Sequence, residues 1–129
     1  MWRSALLMLA LPLMACGDET ISGFVDPTKT FQLVELAGEP FTARATIAFP
    51  EQGRAQGEGA CNRWSAAQLA PYPWIELGPI AATRRACPEL EAEQRFFDAL
   101  ARTTLAEAVG DVLLLTTDQG ETLVFEATN

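Results

Sequence analysis

Gly59-Ala60-Cys61-Asn62-Arg63-Trp64-Ser65 is the stretch that decides how this 129-residue chain folds. It closes the run Arg54 to Ala60, which reads as a strand carrying Gly57 and Gly59. Glycines inside a strand mark a bulge or a close backbone approach. Asn62 tolerates left-handed backbone and bonds neighbouring backbone groups, so taken alone it reads as a turn residue. Upstream, Arg44 to Phe49 alternates as a strand that would pair with Arg54 to Ala60 across a turn at Pro50 to Gly53. Earlier still, Phe31 to Leu36 is a strand turned by Gly38-Glu39-Pro40. Downstream, Trp74 to Leu77 is expected as a further strand after the Pro71-Tyr72-Pro73 corner.

Past Pro88 the apolar period lengthens. Proline at the first helical position loses no hydrogen bond. Leu90, Phe97, Leu100 and Ala101 then share one stripe with Phe96 at its edge, which predicts a single amphipathic helix from Glu89 to about Arg102. Glu89, Glu91 and Glu93 read as its solvated start, favoured by the helix dipole, with an acidic docking patch as the sharper alternative. Leu105 to Val109 and Val112 to Thr117 flank Gly110-Asp111, the pattern of a type II′ hairpin. Asp118-Gln119-Gly120 then turns the chain into Glu121 to Glu126. Leu113, Leu115, Leu123 and Phe125 are the inward alternations. Together these elements predict an α+β domain, a curved antiparallel sheet of about seven strands packed around one α-helix.

The amino-terminal segment has a different chemistry. Arg3 precedes the apolar run Ala5 to Leu11 and Pro12, the parts of a secretory signal. The run is too short for a spanning helix, which needs about 20 apolar residues. Leu13-Met14-Ala15-Cys16 resembles the lipobox of bacterial lipoproteins, where an ordinary cleaved signal would carry a small residue in place of Leu13. That resemblance implies removal of residues 1–15, acylation of Cys16 and, with Gly17 rather than Asp after the cysteine, an outer-membrane address facing the periplasm. Residues 16–30 then form a lipidated start and a flexible tether, since Gly17 to Thr30 is polar with little apolar pattern. Residues 31–129 form the domain. Loss of Arg3 leaves 8 basic against 17 acidic residues, a net charge near −9. Nucleic acid is excluded as a partner, because phosphate binding needs a basic face.

The segment quoted first, Gly59-Ala60-Cys61-Asn62-Arg63-Trp64-Ser65, resembles the Gly-x-Cys-Asn block of the META domain family, typified by the HslJ lipoproteins. Ile80 to Cys87, with Thr83 four residues before Cys87, is similar to the family's second block. A helix with paired aromatics, Phe96-Phe97, and a closing hairpin with Leu113-x-Leu115 and Leu123-x-Phe125 complete the likeness from Phe31 to Ala127. Three positions depart from the pattern. Phe31-Gln32-Leu33 stands for an opening Trp-x-Leu, Ser65-Ala66-Ala67 lacks a glycine after the Cys-Asn step, and Arg85 replaces an apolar residue. The resemblance implies a small envelope lipoprotein that binds a protein or cell-wall component and supports the envelope under stress.

Once Cys16 is set aside, Cys61 and Cys87 make the one possible internal pair in an oxidising compartment. A bridge closing roughly 27 residues would stabilise the fold by about 3.5 kcal/mol in the chain-entropy model. Two buried free thiols are the alternative. Metal binding is disfavoured, since the chain has no His and structural zinc takes four N or S ligands. Asn62 and Thr83 are read as structural, Thr83 satisfying a strand end. Arg63, Arg84 and Arg85 could form a basic patch for a carboxylate or phosphate, so Asn62, Arg63, Thr83 and Arg84 are the candidate binding residues. With no His, no Gly-x-Ser-x-Gly elbow and no phosphate loop, an enzyme is not expected, and no cofactor is implied. The expected protein is a monomeric, non-enzymatic module. The alternative is an inhibitor of a cationic lytic enzyme such as lysozyme, which opposite net charge would steer.

Overall fold

The computed structural model describes residues 17–129; the segment expected to be a signal and Cys16, expected to be acylated, lie outside the described residues. Nine strands and one helix follow in order: β1 (Phe31–Leu36), β2 (Glu39–Pro40), β3 (Thr46–Ile47), β4 (Gly53–Glu58), β5 (Arg63–Gln68), β6 (Ala81–Ala82), α1 (Leu90–Ala101), β7 (Thr103–Val109), β8 (Val112–Thr117) and β9 (Thr122–Ala127). All pairings are antiparallel. The fold class is α+β as expected, but the strands form two sheets. The larger runs β2-β1-β9-β8-β7 with β3 also on β1, and the smaller runs β4-β5-β6.

Side-chain alternation places the core between these sheets. Leu33 lies opposite Phe125 and Phe125 opposite Leu113, so three strands offer one continuous apolar layer. Phe96 of α1 fills the space above it, with its ring centroid 6.3 Å from Phe125 and 6.2 Å from Trp64 of the smaller sheet. Phe96 therefore sits at the centre of the helix's buried face, not its edge; Ala101 is exposed. Glu93 also belongs to that face and is only 2 % exposed, which corrects its reading as part of a solvated helix start.

Two local geometries follow from glycine. Ala37 and Gly38 both have positive φ, 51° and 82°, so β1 and β2 are joined by a two-residue loop in which each central residue is left-handed, as a type I′ turn requires. Gly57 lies against β3: a Cβ there would come closer than 3.0 Å to the Thr46 carbonyl, which accepts the Trp64 indole N–H at 3.2 Å. This is a close approach rather than a bulge, since β4 pairs with β5 in unbroken register. Gly57→Ala is expected to cost about 2–3 kcal/mol, read as a lower urea midpoint with unchanged slope.

The structure corrects two other expectations. Arg63 to Gln68 is a full strand, whereas Trp74 to Leu77 makes only single bridges, Trp74 to Leu105 on the edge strand β7 and Leu77 to Gln68 at the end of β5, and so links the two sheets. The Arg44 to Phe49 strand shrinks to Thr46–Ile47 plus a bridge from Ala48 to Gln56.

The amino-terminal tether is also replaced by a docked segment. Ile21, in a 3-10 turn over Ile21–Gly23, is 1 % exposed, and the Tyr72 N–H bonds the Glu19 carbonyl at 2.7 Å. Asp18 accepts hydrogen bonds from the Thr20 N–H at 2.8 Å, the Thr20 hydroxyl at 2.6 Å and the Ser22 hydroxyl. The polar residues that suggested a solvated leash satisfy one another instead. Desolvation raises the Asp18 pKa, but the bonds from Ser22 and Thr20 outweigh it and hold the carboxyl below its ordinary value of 3.8. Because the folded value is depressed, this stabilisation is present above pH 3.8 and is lost as the pH falls through the folded value. Acidification below 3.8 should therefore release the Gly23 to Val25 amides to hydrogen exchange before the core amides, and Asp18→Asn should abolish that step.

Candidate functional site

The turn between β4 and β5 is built around a side chain from α1. Glu93 Oε1 accepts the Cys61 N–H at 3.0 Å and the Asn62 N–H at 2.7 Å, and Oε2 accepts from Asn62 Nδ2 at 2.7 Å. Gly59 makes room for it, since a Cβ there would overlap the Glu93 carboxylate. Asn62 Nδ2 gives its second proton to the Arg85 carbonyl at 3.0 Å, while Oδ1 accepts the Arg85 N–H at 2.6 Å and the Thr83 hydroxyl at 3.0 Å. An amide side chain has two donors and two acceptor sites, and all four are used.

Thr83 Oγ1 in turn accepts the Arg63 N–H at 3.2 Å, the strand-end role expected of it. The Cys61–Cys87 disulfide, Cα to Cα 5.6 Å, ties the same corner to the entry of the helix. Asn62 does not act through left-handed backbone, because its φ is not positive. It acts as a buried bracket joining three segments. A ligand could reach Asn62 only by displacing bonds already made, so the corner is a structural lock.

Charged and polar side chains lie beside that lock, on the outer face of the smaller sheet. Alternation in β4 turns Arg54, Gln56 and Glu58 outward, and in β5 it turns Arg63 and Ser65 outward. With Arg44, Thr83 and Ala81 they line an open groove of about 720 Å³. A second hollow of about 470 Å³ continues past Arg44, Glu58 and Arg63 to Arg85. Between them the groove and the hollow are lined by four arginines and one carboxylate, in an otherwise acidic protein. Arg44 pairs with Glu58, and Arg63 Nε stands 3.9 Å from the same carboxylate, yet the two arginine side chains remain 65 % and 85 % exposed. Such exposed pairs are worth little, about 0–1 kcal/mol, and leave guanidinium edges free for a carboxylate or phosphate. Arg54 Nε donates to Gln56 Oε1 at 3.0 Å, which orients it along the groove.

Of the sequence candidates, the structure brings Cys61, Asn62, Thr83 and Cys87 together in the lock and sets Arg63 on the groove. Arg84 is exposed and outside its lining. Cys16 lies outside the described residues. Arg44, Arg54 and Glu93 went unremarked as site residues. The alternation of Arg54, Gln56 and Glu58 is the signal for the groove, and an acid on the apolar stripe is the signal for Glu93. Among the described residues, no group of three or more His, Cys, Asp or Glu side chains is placed to hold a metal ion, and no helix is long and apolar enough to cross a membrane.

One helix laid on antiparallel sheets and pinned through a Cys-Asn corner defines a small α+β domain. The chain belongs to the META domain family, whose sequence pattern matches residues 25–129. Solved structures share the fold. A protein from Burkholderia xenovorans, solved by NMR, is similar at 20 % identity and a TM-score of 0.63, over 89 % of this chain and 93 % of that one. A DUF4847 family protein from Bacteroides vulgatus, solved by crystallography, is similar at 15 % identity and a TM-score of 0.67, over 83 % of this chain and 96 % of the other. No curated protein matches.

Proposed function

We propose that this protein is a non-enzymatic binding module of the bacterial envelope, lipid-anchored through Cys16 at the outer membrane, whose groove takes an anionic envelope component. The observation that supports this most is that Arg44, Arg54 and Arg63 line one groove, with Arg85 in the adjoining hollow, in a chain whose net charge is −8. The groove pairs no nucleophile with a base: its hydroxyls are Ser65 and Thr83 with Thr30 and Thr46, its only carboxylate is held between two arginines, and the chain has no His. Guanidinium groups recognise carboxylate and phosphate by paired N–H donors. The same chemistry serves a cell-wall stem peptide, an acidic sugar or an acidic protein segment.

Two experiments test this reading. Backbone NMR titration with a soluble peptidoglycan fragment bearing free carboxylates is expected to shift Arg54, Arg63 and Ser65 amides. Arg54→Ala with Arg63→Ala should weaken binding at least about tenfold, the worth of one charge-assisted bond, while the unfolding midpoint stays within about 0.5 kcal/mol of the parent. Equal binding by the double variant would remove the groove from the hypothesis. A photo-crosslinker at Ser65 in intact cells then seeks the natural partner, and capture of no envelope component above background counts against the module. For the anchor, the intact mass of membrane-extracted protein alkylated without reduction should begin at an acylated Cys16 and carry no alkyl group.

A further inference from the structure

We propose that the aromatic cluster Phe24, Tyr72 and Trp74, continued by Leu105, Val109 and Val112, is the face on which the domain lies against the bilayer holding its own acyl chains. This rests on acylation of Cys16. The argument begins where the described chain starts. Asp18 is fixed by three hydrogen bonds from Thr20 and Ser22, and Gly23 packs so closely on the Asp18 carbonyl that a Cβ would not fit. Phe24 is the next residue and stacks on Tyr72 with ring centroids 4.4 Å apart. Tyr72 is itself tied to Glu19 through its N–H and to β7 through its hydroxyl, which accepts the Ala108 N–H at 3.1 Å. The start of the described chain is therefore tied to one stacked aromatic pair, Phe24 on Tyr72.

Two peptide units separate Cys16 from Asp18, a reach of about 7 Å. An acylated Cys16 would hold this part of the domain at the lipid surface, with no length of chain to let it stand away. The side chains there suit that position. Phe24 and Trp74 are each 56 % exposed, and Val109 at the β7–β8 turn is 76 % exposed. Trp74 bridges Leu105, so the two project from neighbouring positions on the sheet edge, and Val109 pairs with Val112. Tyr and Trp rings are favoured at the headgroup level of a membrane, where one end is apolar and the other wet. Glu107 lies between Leu105 and Val109 on the outward side of β7, and Glu19 and Asp26 are exposed near Phe24 in the chain, so the matching lipid carries no net charge.

The protein provides its own reporters, because Trp64 is buried at 3 % exposure while Trp74 is exposed. The processed, acylated protein is reconstituted into phosphatidylethanolamine/phosphatidylcholine vesicles containing brominated acyl chains, and the emission lost on Trp74→Phe is assigned to Trp74. The expected result is quenching of the Trp74 component by bromine, protection of it from aqueous iodide, and no quenching of Trp64. Replacing a share of the lipid with phosphatidylglycerol should lessen the bromine quenching. Iodide quenching without bromine quenching overturns the proposal. Shielding from both means that another protein or a second copy covers the face, and also overturns it. Failure to float with vesicles overturns the anchor itself, whereas flotation without bromine quenching overturns only the docking face.

Discussion

Glu93→Ala should lower the unfolding free energy by about 3–5 kcal/mol, the largest loss expected from any single exchange outside the hydrophobic core. Three donors converge on this carboxylate: the amides of Cys61 and Asn62 and the Asn62 side chain. Its removal leaves all three facing a void in the corner next to Gly59. Each buried donor without a partner costs about 1–3 kcal/mol. Glu93→Gln separates charge from shape. A carboxamide has one acceptor and one donor end, so one end must face a donor whichever way it is set. Asn62 cannot turn to accommodate it, because its Oδ1 already holds the Arg85 N–H and the Thr83 hydroxyl. The expected loss for Glu93→Gln is about 2–3 kcal/mol. Urea unfolding monitored by Trp64 emission reads both variants, and a midpoint equal to the parent in either would falsify the lock.

Removing the Cys61–Cys87 bridge should cost nearly as much. A sequence separation of 26 corresponds to about 3.5 kcal/mol in the chain-entropy model. Cys61→Ser with Cys87→Ser is the appropriate variant, since a single exchange leaves a free thiol. The thermal midpoint of the oxidised protein should fall to that of the double variant when a reductant is added, and the double variant should not respond. The bridge and Glu93 brace the same corner, so their losses should not add. The triple variant is expected to be destabilised by less than the sum, a coupling that distant sites would not show.

The parts legible from sequence were those whose signals are local. β8 and β9 alternate fully, and β1 was recovered with its ends because apolar residues recur on one face between clear turns. β5 was not legible. Ser65, Ala66 and Ala67 are small residues of modest strand preference, and only their pairing with β4 defines them as sheet. Trp74 to Leu77 has stronger strand composition yet makes only single bridges, one to each sheet. The amino-terminal segment looked like a tether because its polar residues are counted against burial, although here Asp18, Thr20 and Ser22 satisfy one another and let Ile21 enter the core.

The candidate site divides in the same way. The lock could be placed from Cys61, Asn62, Thr83 and Cys87. Its remaining member, Glu93, was assigned to solvent, although it stands three residues from both Leu90 and Phe96 on the apolar stripe. Arg44 and Arg54 join Arg63 only through the register of β3, β4 and β5, which no local pattern reports.

Strand β5 carries two kinds of information on alternate residues. Trp64, Ala66 and Gln68 point into the domain, whereas Arg63, Ser65 and Ala67 point out. Inward Trp64 packs into the core, whereas outward Arg63 and Ser65 of the same family block line the groove proposed for a ligand. Sharing the Cys-Asn block predicts a shared scaffold and says nothing of a shared ligand. For protein engineering, the outward positions of β4 and β5 are the place to graft a new specificity, since they can be rewritten without disturbing the bonds that hold the domain together.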